Sequence, residues 1–424
     1  MSSENIGWEE VSISDVCESI VDCVNKTAPT IDRVSEYKMI RTTNVKNGKI
    51  DLASVKYVDE DTYRIWTRRS VPQIGDVILT REAPIGEVGM VTTDDKIFLG
   101  QRLVQFRANP QVLNPKFLLY SMRSPYMQRQ ILSHEGTGST VSHIRVPDCM
   151  KFKIRVPNIQ IQEQIANILG ALDEKIEINN AINRNLEDML QALFKHWFVD
   201  FEFPNEHGKP YKSSGGEFEE SELGLIPKGW RVASLNEFCM LSTKTVNPST
   251  FPDVTFEHYS IPAFDQGGMP VFEAGSEIKS SKYVVCRDSI LVSKLNPATK
   301  RIWMPFCLTD DAVCSTEFMN YVPKARELYG FFYSLLDSDA FTQFLISNAT
   351  GSTNSRQRAN PKATLTYKFA YGGMEMLRKF SEAVSSIHIK KSLNSIQNQS
   401  LANIRDTLLP KLMSGEIRVP IPQE

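Results

Sequence analysis

The stretch Gly7-Trp8-Glu9-Glu10-Val11-Ser12-Ile13 recurs further along the chain as Gly229-Trp230-Arg231-Val232-Ala233-Ser234-Leu235, and Cys17 then corresponds to Cys239. Further matches follow in the same order at nearly the same separation. They pair residues 76–79 with 288–291, Tyr120-Ser121 with Tyr333-Ser334, 137–140 with 350–353, and Asn183-x-x-Leu186 with Asn398-x-x-Leu401. This separation of more than 200 residues exceeds the roughly 20–50 residues of solenoid repeats. The sequence therefore predicts two copies of one domain-sized unit, each with a similar ligand site.

Each copy is predicted to be an α+β globular segment followed by a long helix. Short runs broken by Gly and Pro indicate strands at Lys38–Ile40, 76–79 and 88–91, and longer periodic runs indicate helices at 115–132 and 328–346. Residues 204–221 are rich in Pro, Gly and Ser and indicate an exposed connector. The predicted boundaries are 1–157 for the first globular segment, 158–200 for its helix, 201–225 for the linker, 226–378 for the second globular segment, and 379–424 for the second helix and tail.

Both long helices carry apolar residues at alternating steps of three and four, which is the spacing of a coiled-coil seam. The predicted seam residues are Ile165, Ile168, Leu172, Ile182, Leu186, Met189 and Leu193 in the first helix, and Ala383, Ile387, Leu401, Ile404 and Leu408 in the second. Asn394 falls where Asn179 falls, and paired Asn residues in a seam can fix its register. We predict that the helices of the two copies form an antiparallel coiled coil with pseudo-twofold symmetry. The alternative is that each helix lies separately on its own globular segment.

The composition is that of a folded protein without a membrane segment. Of the 424 residues, 41% are hydrophobic and 23% are charged, and no apolar run approaches the ~20 residues that span a bilayer. Met1 to Asn5 resemble no secretion signal, so a cytoplasmic location is expected. The seven cysteines occur singly, without zinc-site spacing, which indicates reduced thiols.

The charge balance limits how this chain could bind nucleic acid. The 48 basic and 50 acidic residues give a net charge of −2, whereas proteins that bind DNA unaided are usually basic. Affinity for DNA would therefore depend on local patches or on partner proteins. The near-neutral charge also argues against a DNA mimic, which would need a large acidic excess.

Three strings near the ends of the predicted helices resemble a known family. Leu193-Phe194-Lys195-His196-Trp197-Phe198-Val199-Asp200-Phe201 and Gly224-Leu225-Ile226-Pro227-Lys228-Gly229-Trp230 resemble the central conserved region of type I restriction-modification specificity subunits. Leu408-Leu409-Pro410-Lys411-Leu412-Met413-Ser414-Gly415-Glu416-Ile417 is similar to their distal conserved region. Two departures stand out. The second copy lacks the entry formed by Pro157 and Glu163-Gln164, and Arg287 replaces an expected Gly before Asp288.

The resemblance implies a non-catalytic subunit with two target recognition domains. Each domain would read one half of a bipartite, asymmetric site in double-stranded DNA. The helices would set the gap and dock two methyltransferase subunits, and cleavage would require restriction/translocase subunits. The resemblance implies no cofactor, metal or membrane association for this chain.

The sequence lacks the motifs of the partner enzymes. It has neither the Asn/Asp-Pro-Pro-aromatic motif of a DNA methyltransferase nor a P-loop. Asp148 followed by Asp173-x-Lys175 resembles a nuclease motif, but Asp173 and Lys175 fall on the predicted helix and not on a strand, so convergence on one metal is not expected. Two alternatives stay open: a restriction enzyme with an unrecognised active site, and a coiled-coil scaffold that binds protein only.

Residues that read DNA are expected on loops of the globular segments, because Arg, Lys, Asn and Gln contact base edges and hydroxyls contact phosphates. For each of them the alternative is an ordinary solvated loop residue. The predicted DNA-binding residues are Arg41, Thr42, Asn44, Arg81, Ser139, Thr140 and Arg145 in the first copy, and Gln266, Lys294, Lys300, Ser352, Thr353, Arg356 and Arg358 in the second.

Overall fold

The computed structural model describes residues 7–134, 143–351 and 357–420. The chain divides into two compact units, and the division runs through its two longest helices. The first unit comprises Met1–Ile176 with Ser400–Glu424, and the second comprises Glu177–Gln399. The first unit is therefore assembled from two separate parts of the sequence.

The first unit is α+β, as predicted. In chain order its elements are β1 Glu9–Ser12, α1 Ile13–Val16, β2 Cys17–Asp22, β3 Lys38–Ile40, β4 Val45–Lys46, β5 Lys49–Ile50, β6 Lys56–Tyr57, α2 Glu60–Trp66, β7 Val77–Arg81, β8 Ile85–Met90, β9 Ile97–Leu99, β10 Leu103–Ala108, α3 Pro115–Arg123, α4 Pro125–Leu132, α5 Val146–Cys149, β11 Lys153–Val156 and the beginning of α6 Ile159–Phe198. Its main sheet is antiparallel with the order β2-β10-β7-β8, and a smaller sheet has the order β6-β3-β9, in which β3 and β9 are parallel.

The second unit repeats this architecture. After α6 its elements are β12 Phe218–Ser221, β13 Gly224–Pro227, β14 Arg231–Ser234, α7 Leu235–Phe238, β15 Cys239–Leu241, β16 Thr245–Val246, β17 Thr255–Tyr259, α8 Ile261–Asp265, β18 Val271–Ala274, β19 Lys282–Val284, β20 Ile290–Ser293, β21 Ile302–Trp303, β22 Ala312–Cys314, β23 Phe318–Pro323, α9 Tyr329–Leu336, α10 Asp339–Ser347, β24 Ala349–Thr350, β25 Arg358–Ala359, α11 Pro361–Thr364, β26 Lys368–Tyr371 and the beginning of α12 Met374–Met413. The antiparallel order β15-β23-β20-β21 matches the main sheet of the first unit. A second sheet has five strands in the order β16-β19-β22-β17-β18, and its strands β17 and β22 are parallel, as β3 and β9 are in the first unit.

The structure shifts one of the sequence matches by a residue. Gln73 N donates to the Asp76 carboxylate, and in the second unit Cys286 N donates in the same way to the Ser289 hydroxyl. Asp76 therefore corresponds to Ser289, and the alignment of Asp76 with Asp288 is wrong by one position. Both side chains close the turn that leads into a central strand.

Each predicted helix of the globular segments is two helices. Ser124 separates α3 from α4 and accepts a hydrogen bond from Met127 N, while Ser338 separates α9 from α10 and accepts one from Phe341 N. A serine that caps a helix start satisfies a backbone N–H that has no partner in the preceding turn. The prediction of continuous helices over residues 115–132 and 328–346 is therefore wrong at these two serines.

The buried faces of the long helices differ from the predicted seam at three positions. Met189, Ala383 and Ile404 are exposed, whereas Leu190 and Val384 are buried. In the second unit Leu190, Phe194 and Phe198 pack with the globular core, so the buried stripe of α6 faces that core as well as α12. A helix that packs against both a globular core and another helix buries a different set of positions from one that packs against a single helix in a coiled coil.

The predicted connector is largely structured. Phe203 is buried and stacks on both Tyr211 and Trp230, and β12 pairs with β13 to form a hairpin. Aromatic residues within the Pro- and Gly-rich segment provide this packing.

Candidate nucleic-acid interface

The same backbone hydrogen bonds join three chain segments in each unit. At the end of β7, Arg81 N donates to Arg102 O at 2.8 Å, and Ile144 N donates to Arg81 O at 3.2 Å. At the end of β20, Lys294 N donates to Glu317 O and Ala359 N donates to Lys294 O, both at 2.9 Å. Arg81 and Lys294 are therefore equivalent positions, and each aligns a later loop with the end of a central strand.

In the first unit, side chains connect the same segments. Thr42 Oγ1 donates to Ala83 O at 3.2 Å, and Arg81 Nη1 donates to Ile144 O at 3.0 Å. Glu82 contacts both His143 and the Arg102 guanidinium. We call residues 41–44, 81–84 and 143–145 the first loop surface. Three loops that were predicted separately from the sequence thus lie together.

The second unit has a corresponding second loop surface, formed by residues 265–266, 294–301 and 357–358. Asn296 N donates to Gln357 O at 2.9 Å, and the Arg358 guanidinium pairs with Glu317 at 3.0 Å. Arg301 binds the Asp265 carboxylate through two hydrogen bonds of 2.7 and 2.9 Å. This pair links the segment after α8 to the loop after β20.

Two predicted DNA-binding residues lie inside the protein and not on its surface. Asn44 is buried, accepts from Arg41 N and donates to the Ser54 hydroxyl. Arg81 is 8% exposed and donates to Ile144 O. Both side chains hold loops in place, so the prediction that they contact bases directly is corrected.

The other predicted residues have different degrees of exposure. Arg41, Thr42 and Lys294 are half-buried, whereas Arg145, Gln266, Lys300 and Arg358 are exposed. Ser139, Thr140, Ser352, Thr353 and Arg356 lie outside the described residues.

Carboxylates neutralise several cations of the two loop surfaces. Arg145 pairs with Asp148 and lowers the pKa of that carboxyl through its hydrogen bond. Lys300 pairs at 2.8 Å with Asp337, whose pKa burial raises to about 6. Arg102, Arg301 and Arg358 have carboxylate partners as well, namely Glu82, Asp265 and Glu317.

Sequence reasoning missed the residues that align the loops. Glu82, Arg301 and Glu317 belong to no motif, and each acts through a partner that lies 20 to 61 positions away in the chain. These partners are Arg102 and His143 for Glu82, Asp265 for Arg301, and Arg358 for Glu317. The only sequence feature that relates to these ion pairs is the presence of opposite charges on predicted loops. That feature does not tell which residues pair.

The nuclease-like residues have other partners. Asp148 accepts from Arg145 and Lys151, and Asp173 accepts from Tyr120 and Arg405. Within residues 7–134, 143–351 and 357–420, no group of three His, Cys, Asp or Glu side chains has the geometry of a metal site. No helix in the described part of the chain has the length and apolarity needed to cross a bilayer.

Residues 5–188 match the family model described as the type I restriction modification DNA specificity domain. The type I restriction enzyme HindI specificity subunit of Haemophilus influenzae is 23% identical over 97% of this chain and 99% of its own length. The MjaIX specificity subunit of Methanocaldococcus jannaschii is 26% identical over 86% of this chain and 81% of its own length.

One solved structure has a fold similar to that of this chain. The crystal structure of the type I restriction-modification system S subunit from M. genitalium superimposes with a TM-score of 0.55 at 18% identity, and the match covers 100% of this chain and 98% of that one. The predicted resemblance to specificity subunits is confirmed. The α+β class and the long helices are confirmed with it.

Proposed function

We propose that this chain is the DNA-specificity subunit of a type I restriction-modification complex and carries no catalytic site of its own. Its two recognition domains, 1–157 and 226–378, each read one half of a bipartite site in double-stranded DNA, in the cytoplasm. The observation that carries this proposal is the pair of loop surfaces, which share one backbone pattern around Arg81 and Lys294. A repeated scaffold with different side chains is suited to reading two different half-sites.

The side chains on the two scaffolds are different. The third loop has His143 beside Glu82 in the first unit and Arg358 beside Glu317 in the second. Because base readout depends on the donors and acceptors presented to the groove, the two surfaces would select different bases. The site is then asymmetric.

The long helices would separate the two domains as an antiparallel coiled coil. In the second unit, Asn179 bonds to Asn398 and Asn394 bonds to Asn183, so residue numbers rise along α6 while they fall along α12. In the first unit Asp173 bonds to Arg405 with nearly the same pairing. Equal partners on both helices support a pseudo-twofold arrangement.

The same helices would dock two methyltransferase subunits, with restriction/translocase subunits joining the complex for cleavage. Ile178 on α6 and the corresponding Leu393 on α12 are 54% and 57% exposed. Large apolar side chains that are exposed at equivalent places suit two copies of one protein partner. Leu393 also lines a groove of about 580 Å³ that follows α12.

Exchange of residues 10–155 for the first domain of another specificity subunit tests the reading of DNA. We expect only one half of the methylated sequence to change, because each loop surface is built within one unit. The measurement is genome-wide detection of methylated adenines in cells with the partner genes. A change in both halves would contradict the two-reader proposal.

Ile178→Glu and Leu393→Glu test the docking of partners. Each single variant should bind one methyltransferase subunit, and the double variant should bind none, as measured by the mass of the complex in sedimentation. Lys175→Glu, on the exposed face of α6, is the control. Two subunits bound to the double variant would contradict this docking site.

The two alternatives make different predictions. Metal-dependent cleavage by the purified chain would favour a restriction enzyme. Failure to retain any DNA selectively with the methyltransferase present would favour a protein-only scaffold.

A further inference from the structure

Four asparagines connect α6 and α12 near the middle of both helices. Asn179 Nδ2 donates to Asn398 Oδ1 at 2.9 Å, and Asn394 Nδ2 donates to Asn183 Oδ1 at 2.9 Å. Asn179 corresponds to Asn394 and Asn183 to Asn398 in the sequence repeat, so the two hydrogen bonds are symmetry equivalents. Each helix therefore donates one of these two hydrogen bonds and accepts the other.

Neighbouring polar groups complete this asparagine cluster. Asn398 Nδ2 donates to Asn180 Oδ1 at 2.8 Å, and the equivalent amide of Asn183 donates to the Ser395 hydroxyl at 3.2 Å. Asn179 also donates to Gln397 at 2.8 Å. A buried polar network whose members are bonded specifies one arrangement more strictly than apolar contacts do.

Apolar packing does not fix the helix pairing at this place. Among residues 177–186 and 391–399, the side chains of Asn179 and Asn394 alone are buried, at 1% and 2% exposure. The hydrophobic core of the second unit takes its residues on the two long helices from 190–198 and 374–387. The central turns therefore depend on amide hydrogen bonds.

A shift of one heptad would break these bonds without replacing them. It would place Asn394 opposite Leu190 and Asn398 opposite Leu186, where the amides would be buried against apolar side chains. Each unsatisfied buried polar group costs about 1–3 kcal/mol. Leucines at the four positions would tolerate either register.

We propose that Asn179, Asn183, Asn394 and Asn398 are positioning residues that fix the register of α6 against α12 and, through it, the gap between the two DNA half-sites. The link to DNA rests on the proposed function, whereas the register itself does not. Polar seam residues of this kind specify register at a cost in stability. The apolar variants are therefore more stable and less specific.

The experiment measures the distance between a spin label on α6 and a spin label on α12 in the full-length chain with all four asparagines changed to leucine. Spin labels are attached at Arg184→Cys and Lys379→Cys, on exposed faces of α6 and α12, in a Cys286→Ser background that removes the exposed native thiol. We expect a higher melting temperature and a second distance displaced by about 10 Å, the length of one heptad. Asn185→Leu, an exposed position on the same helix, is the matched control and should show one distance.

The pair Asn183→Leu/Asn394→Leu is measured in the same way, so that misfolding of the fourfold variant does not decide the outcome. A single unchanged distance in both variants would overturn the proposal. Selection from a DNA library of different gap lengths, with the methyltransferase present, is expected to broaden. Two distances with unchanged selection would retain the register role and contradict the proposed link to DNA.

Discussion

Arg81 lies beneath the first loop surface, where its guanidinium donates to the carbonyl of Ile144. Loss of this bond would leave a buried carbonyl without its donor and would release the third loop. Arg81→Met is expected to lower the free energy of unfolding by about 1–3 kcal/mol. It should also weaken selection at one half-site, with the other half-site unchanged, in a binding assay against randomised half-sites.

Arg68→Met, at an exposed position of the same unit, is the control and should leave both quantities unchanged. Equal loss of selection at both half-sites would contradict the positioning role of Arg81.

His388 titrates in an apolar setting. Both ring nitrogens are buried and have no hydrogen-bond partner among the residues that the structure describes, and burial lowers the pKa of His388 to about 4. The unfolded chain therefore binds a proton between about pH 6.5 and pH 4 that the folded chain does not bind, and stability falls as pH falls through this window. His388→Leu is expected to remove up to about 3 kcal/mol of that loss.

Urea unfolding at pH 7 and pH 4.5 measures this difference. At pH 7 the variant should stay within about 1 kcal/mol of the parent, because the lost ring contact with Tyr333 offsets the relief of two unpaired nitrogens. His207→Leu, exposed in the connector, is the control. An unchanged pH dependence in the His388 variant would contradict the assignment.

For single residues, the sequence predicted which residue types occur at the loops better than it predicted which of them are exposed. Arg41 and Arg81 were predicted correctly to lie at strand ends, and Arg145 was predicted to lie in a turn. Nothing local distinguished the exposed Arg145 from the buried Arg81, because burial is set by segments that are distant in the chain.

At the scale of the elements, the strands β7 and β10 are joined by a buried ion pair. Asp76 is 2% exposed and binds the Arg107 guanidinium at 2.8 and 2.7 Å, and it also accepts from Gln105 and Gln73 N. Asp76→Asn removes the charge that Arg107 needs while it keeps the size of the side chain. Because Arg107 is 22% exposed, we expect a loss of about 1.5–3 kcal/mol in unfolding free energy.

Denaturant unfolding checks this value against Asp61→Asn, an exposed carboxylate whose loss should cost less than about 1 kcal/mol. The double variant Asp76→Asn/Arg107→Met should recover part of the loss, because it no longer holds an unpaired, partly buried cation. A loss in Asp76→Asn no larger than that of the control would contradict the ion-pair argument.

Element prediction succeeded where periodicity was long and failed where a cap or a second surface intervened. Both long helices were predicted from their apolar spacing, although α12 begins at Met374, five residues before the predicted boundary at 379. The breaks at Ser124 and Ser338 depend on single hydroxyls. Leu190 is buried in place of the predicted Met189 because α6 also packs against the globular core. The apolar spacing of the helix gives no information about that core.

At the scale of the whole molecule, the core of the first unit needs the last helix of the chain. Leu409, Leu412 and Met413 pack in one cluster with Ile165 and Leu169. Truncation after Gln399 is expected to leave the second unit cooperatively folded and to expose this apolar surface in the first unit. Binding of a hydrophobic dye and hydrogen exchange measured by mass spectrometry would show both effects.

Truncation after Pro420 is the matched control, since it retains all residues of the cluster. Protection of residues 159–169 equal to that of the control in the chain that ends at Gln399 would contradict the prediction.

The repeat itself, with its order of strands, was predictable because both copies are present in the sequence to be compared. The division of the chain into units was not predictable, because it cuts across both helices and follows contacts rather than sequence order.

This division has a consequence for biosynthesis. A ribosome makes the first unit's strands early, and domains ordinarily fold in the order in which they emerge. Here the nascent first unit lacks part of its core until residues 409–413 have been made, while the second unit, contiguous in sequence, has all of its side chains before translation reaches Ser400. The first unit therefore completes its core after the second, and until then it presents an apolar surface on which chaperones can act.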